Sequence, residues 1–109
     1  MHIPEGVIAE MLTPFDDIGR ITEKETVKLV YFLIEKGVDG IFPVSSCAEY
    51  AHLDMEEKKY LIDIVVDASG GRVDTIPGTG ATCRQKSIGL ASYAKEKGLR
   101  SSFIWSILL

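Results

Sequence analysis

The stretch Phe42–Tyr50 reads FPVSSCAEY and marks the point where an apolar run gives way to small hydroxyl and thiol side chains. The run from Gly40 to Val44 is too short and too evenly apolar for a helix, and it fits a strand that is buried on both faces. In a parallel α/β protein the carboxyl end of a strand faces the crevice where ligands bind. The stretch therefore predicts a buried strand followed by a candidate anion site, although an ordinary tight connection fits the same residues.

A complete strand and helix precede this stretch. The apolar run from Val7 to Leu12 predicts a first strand, which Thr13-Pro14-Phe15 ends because proline removes a donor and restricts the residue before it. Thr22 with Glu25 three residues later is typical of a capping box, so we expect a helix to begin there. Gly37 is the expected end of that helix.

Two further helices follow, with similar start and stop signals. A capping box of Asp54 and Glu57 opens the second helix, and Gly70-Gly71 ends it. In the third unit a strand is predicted from Arg72 to Ile76, and Pro77 to Ala81 form a glycine-rich turn. Thr82 with Gln85 is the capping pair of the third helix, and Gly98 is its expected end. Tyr31 and Tyr60 lie within apolar helix faces and are predicted to be core residues. Three successive βα units predict an α/β fold with a parallel sheet.

The composition indicates one soluble globular domain, with 46% hydrophobic and 26% charged residues in 109. The net charge is −4 and the 12 basic residues are scattered among 16 acidic ones, so we expect no nucleic-acid partner. No run approaches the roughly 18 apolar residues of a membrane span, and the N-terminus lacks a signal-peptide pattern. These features predict a cytoplasmic protein without a membrane partner. Cys47 and Cys83 lack metal-like spacing, so free thiols, no metal and no cofactor are expected.

The final stretch, Leu99 to Leu109, breaks the repeating pattern. A fourth strand is expected after Gly98, yet the stretch lacks a terminating turn and ends on apolar residues. We therefore predict that residues 1–98 form the N-terminal βαβαβα part of a larger domain and that residues 99–109 are an aberrant or cut tail. An edge strand is the alternative, and an exposed apolar edge favours aggregation.

Three motifs in this order resemble one enzyme family. They are Thr13-Pro14-Phe15, Ser45-Ser46-Cys47-Ala48-Glu49 and Pro77-Gly78-Thr79-Gly80-Ala81, each at the predicted carboxyl end of a strand. Together they resemble the dihydrodipicolinate synthase and N-acetylneuraminate lyase family of class I, Schiff-base aldolases, from about Val7 to Gly98. The resemblance implies the first three βα units of a (β/α)8 TIM barrel, here truncated.

The resemblance also assigns roles to the second motif. In the family it usually reads Gly, then Ser or Thr, then Thr or Ser, then Gly-Glu, and it holds the carboxylate of a 2-oxo acid, pyruvate in most members. Ser46 then falls on the residue that binds substrate and belongs to a proton relay. Cys47 falls on the second binding position, where its N–H must do most of the work because a thiol is a poor donor. Ala48 replaces the usual glycine.

Other positions are assigned in the same way. By resemblance Thr13 is a further substrate-binding residue, whereas Glu49, Gly78 and Gly80 are structural loop residues. The implied partner is a small 2-oxo acid such as pyruvate, and full-length relatives are expected to be homo-oligomers.

The lysine that forms the Schiff base has no candidate here. Such a lysine needs a pKa lowered by burial or by neighbours. The following eight lysines lie on predicted helices, where we expect them to be solvated: Lys24, Lys28, Lys36, Lys58, Lys59, Lys86, Lys95 and Lys97. In the family the lysine comes from the sixth strand and a key tyrosine from the fifth, both beyond Leu109.

We therefore expect a fragment of a lyase or aldolase that is inactive alone. One alternative is a small α/β module that binds phosphate or carboxylate at Ser46 to Glu49 and Gly78 to Ala81, without catalysis. Another is a subunit that supplies this sheet edge to a longer partner.

Overall fold

Strands and helices alternate along the chain. The computed structural model describes residues 5–45, 53–81, 83–99 and 102. Within these ranges the elements are β1 (Ile8–Glu10), α1 (Glu23–Glu35), β2 (Gly40–Phe42), α2 (Met55–Ser69), β3 (Asp74–Thr75) and α3 (Arg84–Glu96). The strands form a parallel sheet in the order β1-β2-β3. The predicted α/β class and the parallel pairing are confirmed, and each strand is shorter than the apolar run that predicted it.

The central strand β2 is the most deeply buried. All three of its residues are buried, as expected for a strand with helices on one side and a neighbour at each edge. Its register places Gly40 beside Ile8 on one side and Asp74 on the other. The edge strand β1 is largely exposed, because only one of its edges is paired among the described residues.

The core lies between the sheet and the three helices. Its fully buried members include one or more side chains from each helix and from β2: Val30, Ile41, Leu61, Ile62, Val65 and Leu90. The prediction that Tyr31 and Tyr60 are core residues is wrong, since they are 51% and 43% exposed. Each tyrosine lies at the margin of its helix face and contacts a charged group, Arg72 over the ring of Tyr31 and Glu23 near the hydroxyl of Tyr60. An amphipathic ring suits such a boundary.

The side-chain capping predicted for the three helix N-termini is present at one of them. At α2 the Asp54 carboxylate accepts from the Glu57 N–H at 2.8 Å, and the Glu57 carboxylate accepts from the Asp54 N–H at 3.1 Å, so that capping box is confirmed. At α1, Thr22 is the N-cap but its side chain makes no capping bond, and its Oγ1 is buried without a hydrogen-bond partner. The capping box predicted for Thr22 and Glu25 is therefore wrong.

The third N-terminus begins one residue later than predicted. Cys83 is the N-cap of α3, in an extended conformation, and makes no side-chain capping bond. The predicted pair of Thr82 and Gln85 is therefore wrong, although Thr82 itself lies outside the described residues. The predicted helix ends are correct, because Gly37, Gly70 and Gly98 all have positive φ just after their helices. None of the helices in the described ranges is long and apolar enough to cross a membrane.

The predicted boundary between residues 1–98 and the tail is followed by Leu99, a packed residue. Leu99 packs against the core cluster, and its N–H donates to the Ala94 carbonyl at 3.1 Å. Apart from Leu99 and Ser102, the predicted tail lies outside the described residues.

Candidate functional site at the carboxyl ends of the strands

Backbone hydrogen bonds join the carboxyl ends of the three strands. The Met11 N–H, just after β1, donates to the Phe42 carbonyl at 3.0 Å. On the other side of β2, the Ile76 N–H donates to the Ile41 carbonyl at 2.9 Å and the Gly78 N–H to the Pro43 carbonyl at 2.9 Å. The segments that follow the strands therefore meet at one edge of the sheet, which is where ligands bind in parallel α/β folds.

Gly78 allows the closest of these approaches. A Cβ at this position would overlap the Val44 carbonyl oxygen and would lie 3.1 Å from Cε1 of Phe42. A backbone atom cannot move aside as a flexible side chain can, so only glycine fits here. The loop after β3 is thus held tightly against the end of β2.

The turn after β2 contains strained and unsatisfied groups. Val44 is buried and has a φ of 59°, which is rare for a β-branched residue and costs about 1–3 kcal/mol. The next residue, Ser45, has a buried Oγ without a hydrogen-bond partner, and Thr79 Oγ1 in the neighbouring loop has none either. A buried hydroxyl left unbonded costs about 1–3 kcal/mol. Strained and unsatisfied groups are concentrated at the functional sites of proteins, so they indicate a functional site at this edge of the sheet.

The structure describes only some of the residues that the sequence singled out. Thr13 is buried at the end of β1, with 7% of its surface exposed. Gly78 and Gly80 are buried in the loop after β3. Ser46, Cys47 and Glu49 lie outside the described residues, which end at Ser45 on this side of the motif.

Lys58 is the residue near this site that the sequence analysis missed. It was expected to be solvated, and this expectation is wrong, because only 5% of its surface is exposed. Its Nζ donates to the Gly80 carbonyl at 3.2 Å. Burial, and secondarily the positive charge of Lys86, lowers the pKa of Lys58. Helical spacing could have revealed the burial, since position 58 lies on the same face as Leu61 and Ile62.

Metal-binding clusters are absent from the described part of the chain. No three His, Cys, Asp or Glu side chains there come close enough to hold a metal ion. Cys83 is an exposed free thiol, and Cys47 lies outside the described residues.

A cavity of about 240 Å³ lies at the opposite end of the sheet. Its lining comes from the C-terminal ends of α2 and α3 and from β3, and includes Ser69, Asp74, Lys97 and Leu99. Helix C-termini lie near the amino ends of parallel strands, a region that supports stability in barrel folds whereas the carboxyl ends carry the chemistry. The cavity is therefore separate from the candidate site.

Comparison with known proteins identifies the family. The model of the dihydrodipicolinate synthetase family matches residues 3–104. A 4-hydroxy-tetrahydrodipicolinate synthase of Methanosphaera stadtmanae is 40% identical over 94 residues, which are 86% of this chain and 32% of the relative. The corresponding protein of Methanothermobacter thermautotrophicus is 34% identical over 100 residues, covering 92% of this chain and 35% of its own length. The chain thus spans about a third of the length of these curated relatives.

Solved structures agree with this result. The prophage protein YagE of E. coli K12, which belongs to the dihydrodipicolinic acid synthase family and was solved in complex with pyruvate, superposes with a TM-score of 0.88 at 30% identity, covering 94% of this chain and 36% of YagE. An N-acetylneuraminate lyase from Mycoplasma synoviae superposes with a TM-score of 0.85 at 29% identity, covering 95% of this chain and 38% of the lyase. Because the family model matches nearly the whole chain, this chain belongs to the dihydrodipicolinate synthetase family.

Proposed function

We propose that the chain is the N-terminal βαβαβα part of a TIM-barrel lyase or aldolase that acts on pyruvate or another 2-oxo acid through a lysine Schiff base. The observation that carries the proposal is that the segments directly after β1, β2 and β3, where the three family motifs begin, meet at one edge of a parallel sheet in a chain that belongs to the family. A barrel of about 250 residues needs eight βα units, and this chain supplies three of them. The pyruvate complex of YagE supports the substrate class.

The substrate carboxylate is assigned to the segment after β2. Ser46 binds it and takes part in the proton relay, Cys47 binds it through its backbone N–H, and Thr13 contributes from the end of β1. Consecutive backbone N–H groups at a strand-to-helix junction form a concave anion site. The tight contact of Gly78 with the Val44 carbonyl supports this assignment, because it fixes the backbone immediately before Ser46. Glu49, Gly78 and Gly80 have structural roles in this account.

The Schiff-base lysine and the relay tyrosine are contributed by later strands. The family resemblance assigns the lysine to the sixth strand and the tyrosine to the fifth, and a chain that spans a third of its relatives supplies three βα units. A lysine amine attacks the ketone carbon, water leaves, and the resulting imine withdraws electrons from the neighbouring carbon–carbon bond. The residues of this chain bind and orient the carboxylate while that chemistry proceeds. Without those strands the chain does not catalyse.

A fusion protein tests this proposal directly. Residues 1–98 are joined to the rest of the Methanosphaera stadtmanae synthase, starting where its match to this chain ends. We expect this fusion chain to consume pyruvate when an aldehyde co-substrate of the synthase is supplied, and Ser46→Ala to lower turnover by about 10²-fold, the size of a lost proton-transfer contribution. Ser92→Ala, at an exposed position of α3, is the matched control. Unchanged turnover in Ser46→Ala would reduce Ser46 to a packing residue.

A second candidate function is an anion-binding module without catalysis. The buried, unpartnered hydroxyls of Ser45 and Thr79 favour it, since Ser45 directly precedes Ser46 in the chain and Thr79 lies in the loop that bonds to the end of β2. Phosphate and pyruvate binding to the 109-residue chain, measured by titration, separates the two candidates. Tighter binding of phosphate than of pyruvate would favour the module.

A further inference from the structure

Lys58 makes a contact that the proposed chemistry does not use. It lies near the start of α2, is almost wholly buried, and donates from its ammonium to the Gly80 carbonyl at 3.2 Å. A buried ammonium has lost its hydration, and proteins retain one only where polar partners replace the lost water. A hydrogen bond from an ionised donor is stronger than one between neutral groups. The Gly80 carbonyl is therefore held firmly by α2.

The same loop is held from its other side by the end of β2. The Gly78 N–H donates to the Pro43 carbonyl at 2.9 Å, and Gly78 touches the Val44 carbonyl. Gly78 and Gly80 are only two residues apart, so the loop is fixed between α2 and the turn after β2. That turn continues directly into Ser46 and Cys47.

Groups next to these two contacts are strained or lack hydrogen-bond partners. Val44 has a positive φ, and the hydroxyls of Ser45 and Thr79 are buried without partners. Strain of this kind persists only where the surrounding contacts over-determine the conformation. The contact with Lys58 on one side and with Pro43 on the other provides this constraint.

We infer that Lys58 is a positioning residue for the turn after β2: its buried ammonium holds the Gly78 to Ala81 loop against the end of β2 and so fixes the backbone at Val44 and Ser45, directly before the residues to which the carboxylate is assigned. The identity of the bound carboxylate rests on the proposed function. The restraint of the loop by Lys58 does not.

Amide hydrogen exchange in the fusion chain tests the inference. In Lys58→Met we expect the Gly78 N–H to exchange about tenfold faster, as for the loss of one charge-assisted hydrogen bond that restrains the loop. The Gly70 N–H, which donates to the Val66 carbonyl at the far end of α2, should keep its rate. Lys58→Arg retains a buried cation and should restore slow exchange. Lys59→Met is the control, because its side chain is 33% exposed and lies near Glu56.

The NMR signals of Val44 and Ser45 provide the second measurement. Their amide shifts should change in Lys58→Met and return towards the original values in Lys58→Arg. Three results would overturn the inference: an unchanged Gly78 rate, equal acceleration at Gly78 and Gly70, or no protection of Gly78 in the unaltered chain. Neither measurement uses pyruvate. A failure of the inference about Lys58 can therefore be distinguished from a failure of the proposed function.

Discussion

Gly78 is the residue whose replacement the structure most clearly forbids. A methyl group there would overlap the Val44 carbonyl, and relief requires the backbone of the turn after β2 or of the loop after β3 to shift. We expect Gly78→Ala to destabilise the fusion chain by at least about 1–3 kcal/mol, the usual cost of overpacking. The measurement is the urea midpoint of unfolding at constant slope.

Gly89 provides the matched control for that substitution. It lies inside α3, and among the described residues an added Cβ would meet only the Met55 side chain, at 4.0 Å. Gly89→Ala should therefore be neutral or stabilising by about 0.5–1 kcal/mol, because alanine is the better helix former. Equal destabilisation by both substitutions would contradict the steric argument at Gly78.

The sequence predicts which residues lie at strand ends better than it predicts how deeply a side chain is buried. The motifs at Thr13 and Gly78 were placed at strand ends because proline and glycine have local, sequence-readable effects. The burial of Lys58 was missed because a lysine is solvated by default, whereas the fold gives this ammonium a tertiary partner at the Gly80 carbonyl. The strained φ of Val44 has no sequence signal at all, since β-branched residues rarely adopt it.

The helix termini are the elements where sequence and structure differ most. The side chain of Asp54 caps α2, so Asp54→Ala should destabilise the fusion chain by about 0.5–2 kcal/mol. Thr22 has the same expected role in α1 but makes no capping bond, and Thr22→Val removes a buried, unpartnered hydroxyl. We expect that change to be neutral or stabilising, within about 0.5 kcal/mol. Thermal unfolding of the two variants side by side gives the comparison, and a clear loss in Thr22→Val would show a capping role.

The sequence could not distinguish these two caps. Both have a capping residue followed three positions later by glutamate, and the choice depends on side-chain rotamers. In α1, the Thr26 hydroxyl donates to the Thr22 carbonyl at 2.7 Å instead. The parallel pairing of the strands, by contrast, follows from successive βα units and was predicted correctly.

A cluster of Asp63, Tyr93 and Lys97 ties α2 to the end of α3. The Tyr93 hydroxyl donates to the Asp63 carboxylate, with its oxygen 2.6 Å from Oδ1 and 2.8 Å from Oδ2, and Lys97 Nζ lies 3.3 Å from Oδ1. The hydrogen bond to Asp63 raises the pKa of Tyr93 above its ordinary value of 10.0, and Asp63 also raises the pKa of Lys97. The folded chain therefore binds both protons more tightly than the unfolded chain.

The pH dependence of stability follows from these directions. The stabilisation by Tyr93 is complete below about pH 10, the pKa in the unfolded chain, and is lost as the pH rises through the higher folded value. The urea midpoint of the fusion chain should exceed that of Tyr93→Phe at neutral pH, and the difference should shrink above about pH 10. Asp63→Asn should remove this pH dependence. A difference that grows with alkaline pH would contradict the assignment.

At the scale of the whole molecule, the sheet has open edges. Among the described residues β1 and β3 each pair on one side only, and Val7, Leu12 and Ile18 are 64%, 63% and 71% exposed. Each large apolar side chain left in water forgoes about 1.5–3 kcal/mol of burial, against a typical domain stability of about 5–15 kcal/mol. We therefore expect the 109-residue chain to self-associate.

Light scattering after size exclusion measures this association. Deletion of residues 100–109, which include Phe103, Trp105 and Leu109, should reduce it without producing a sharp unfolding transition. The deletion begins at Arg100 because Leu99 packs against the core. A monomer of the 109-residue chain with a cooperative two-state transition would contradict this prediction and favour the anion-binding module.

The most direct test of the central claim is trapping with pyruvate and borohydride, followed by intact mass and peptide mapping. The account places binding residues in this chain and the Schiff-base lysine in the rest of the barrel. We therefore predict one reduced pyruvate adduct in the fusion chain, on a lysine of the part contributed by the relative, and none on the 109-residue chain. Lys58 makes this a demanding test, since its burial and lowered pKa are properties that a Schiff-base lysine needs. A stoichiometric adduct on Lys58, or on any lysine of the 109-residue chain, would contradict the account.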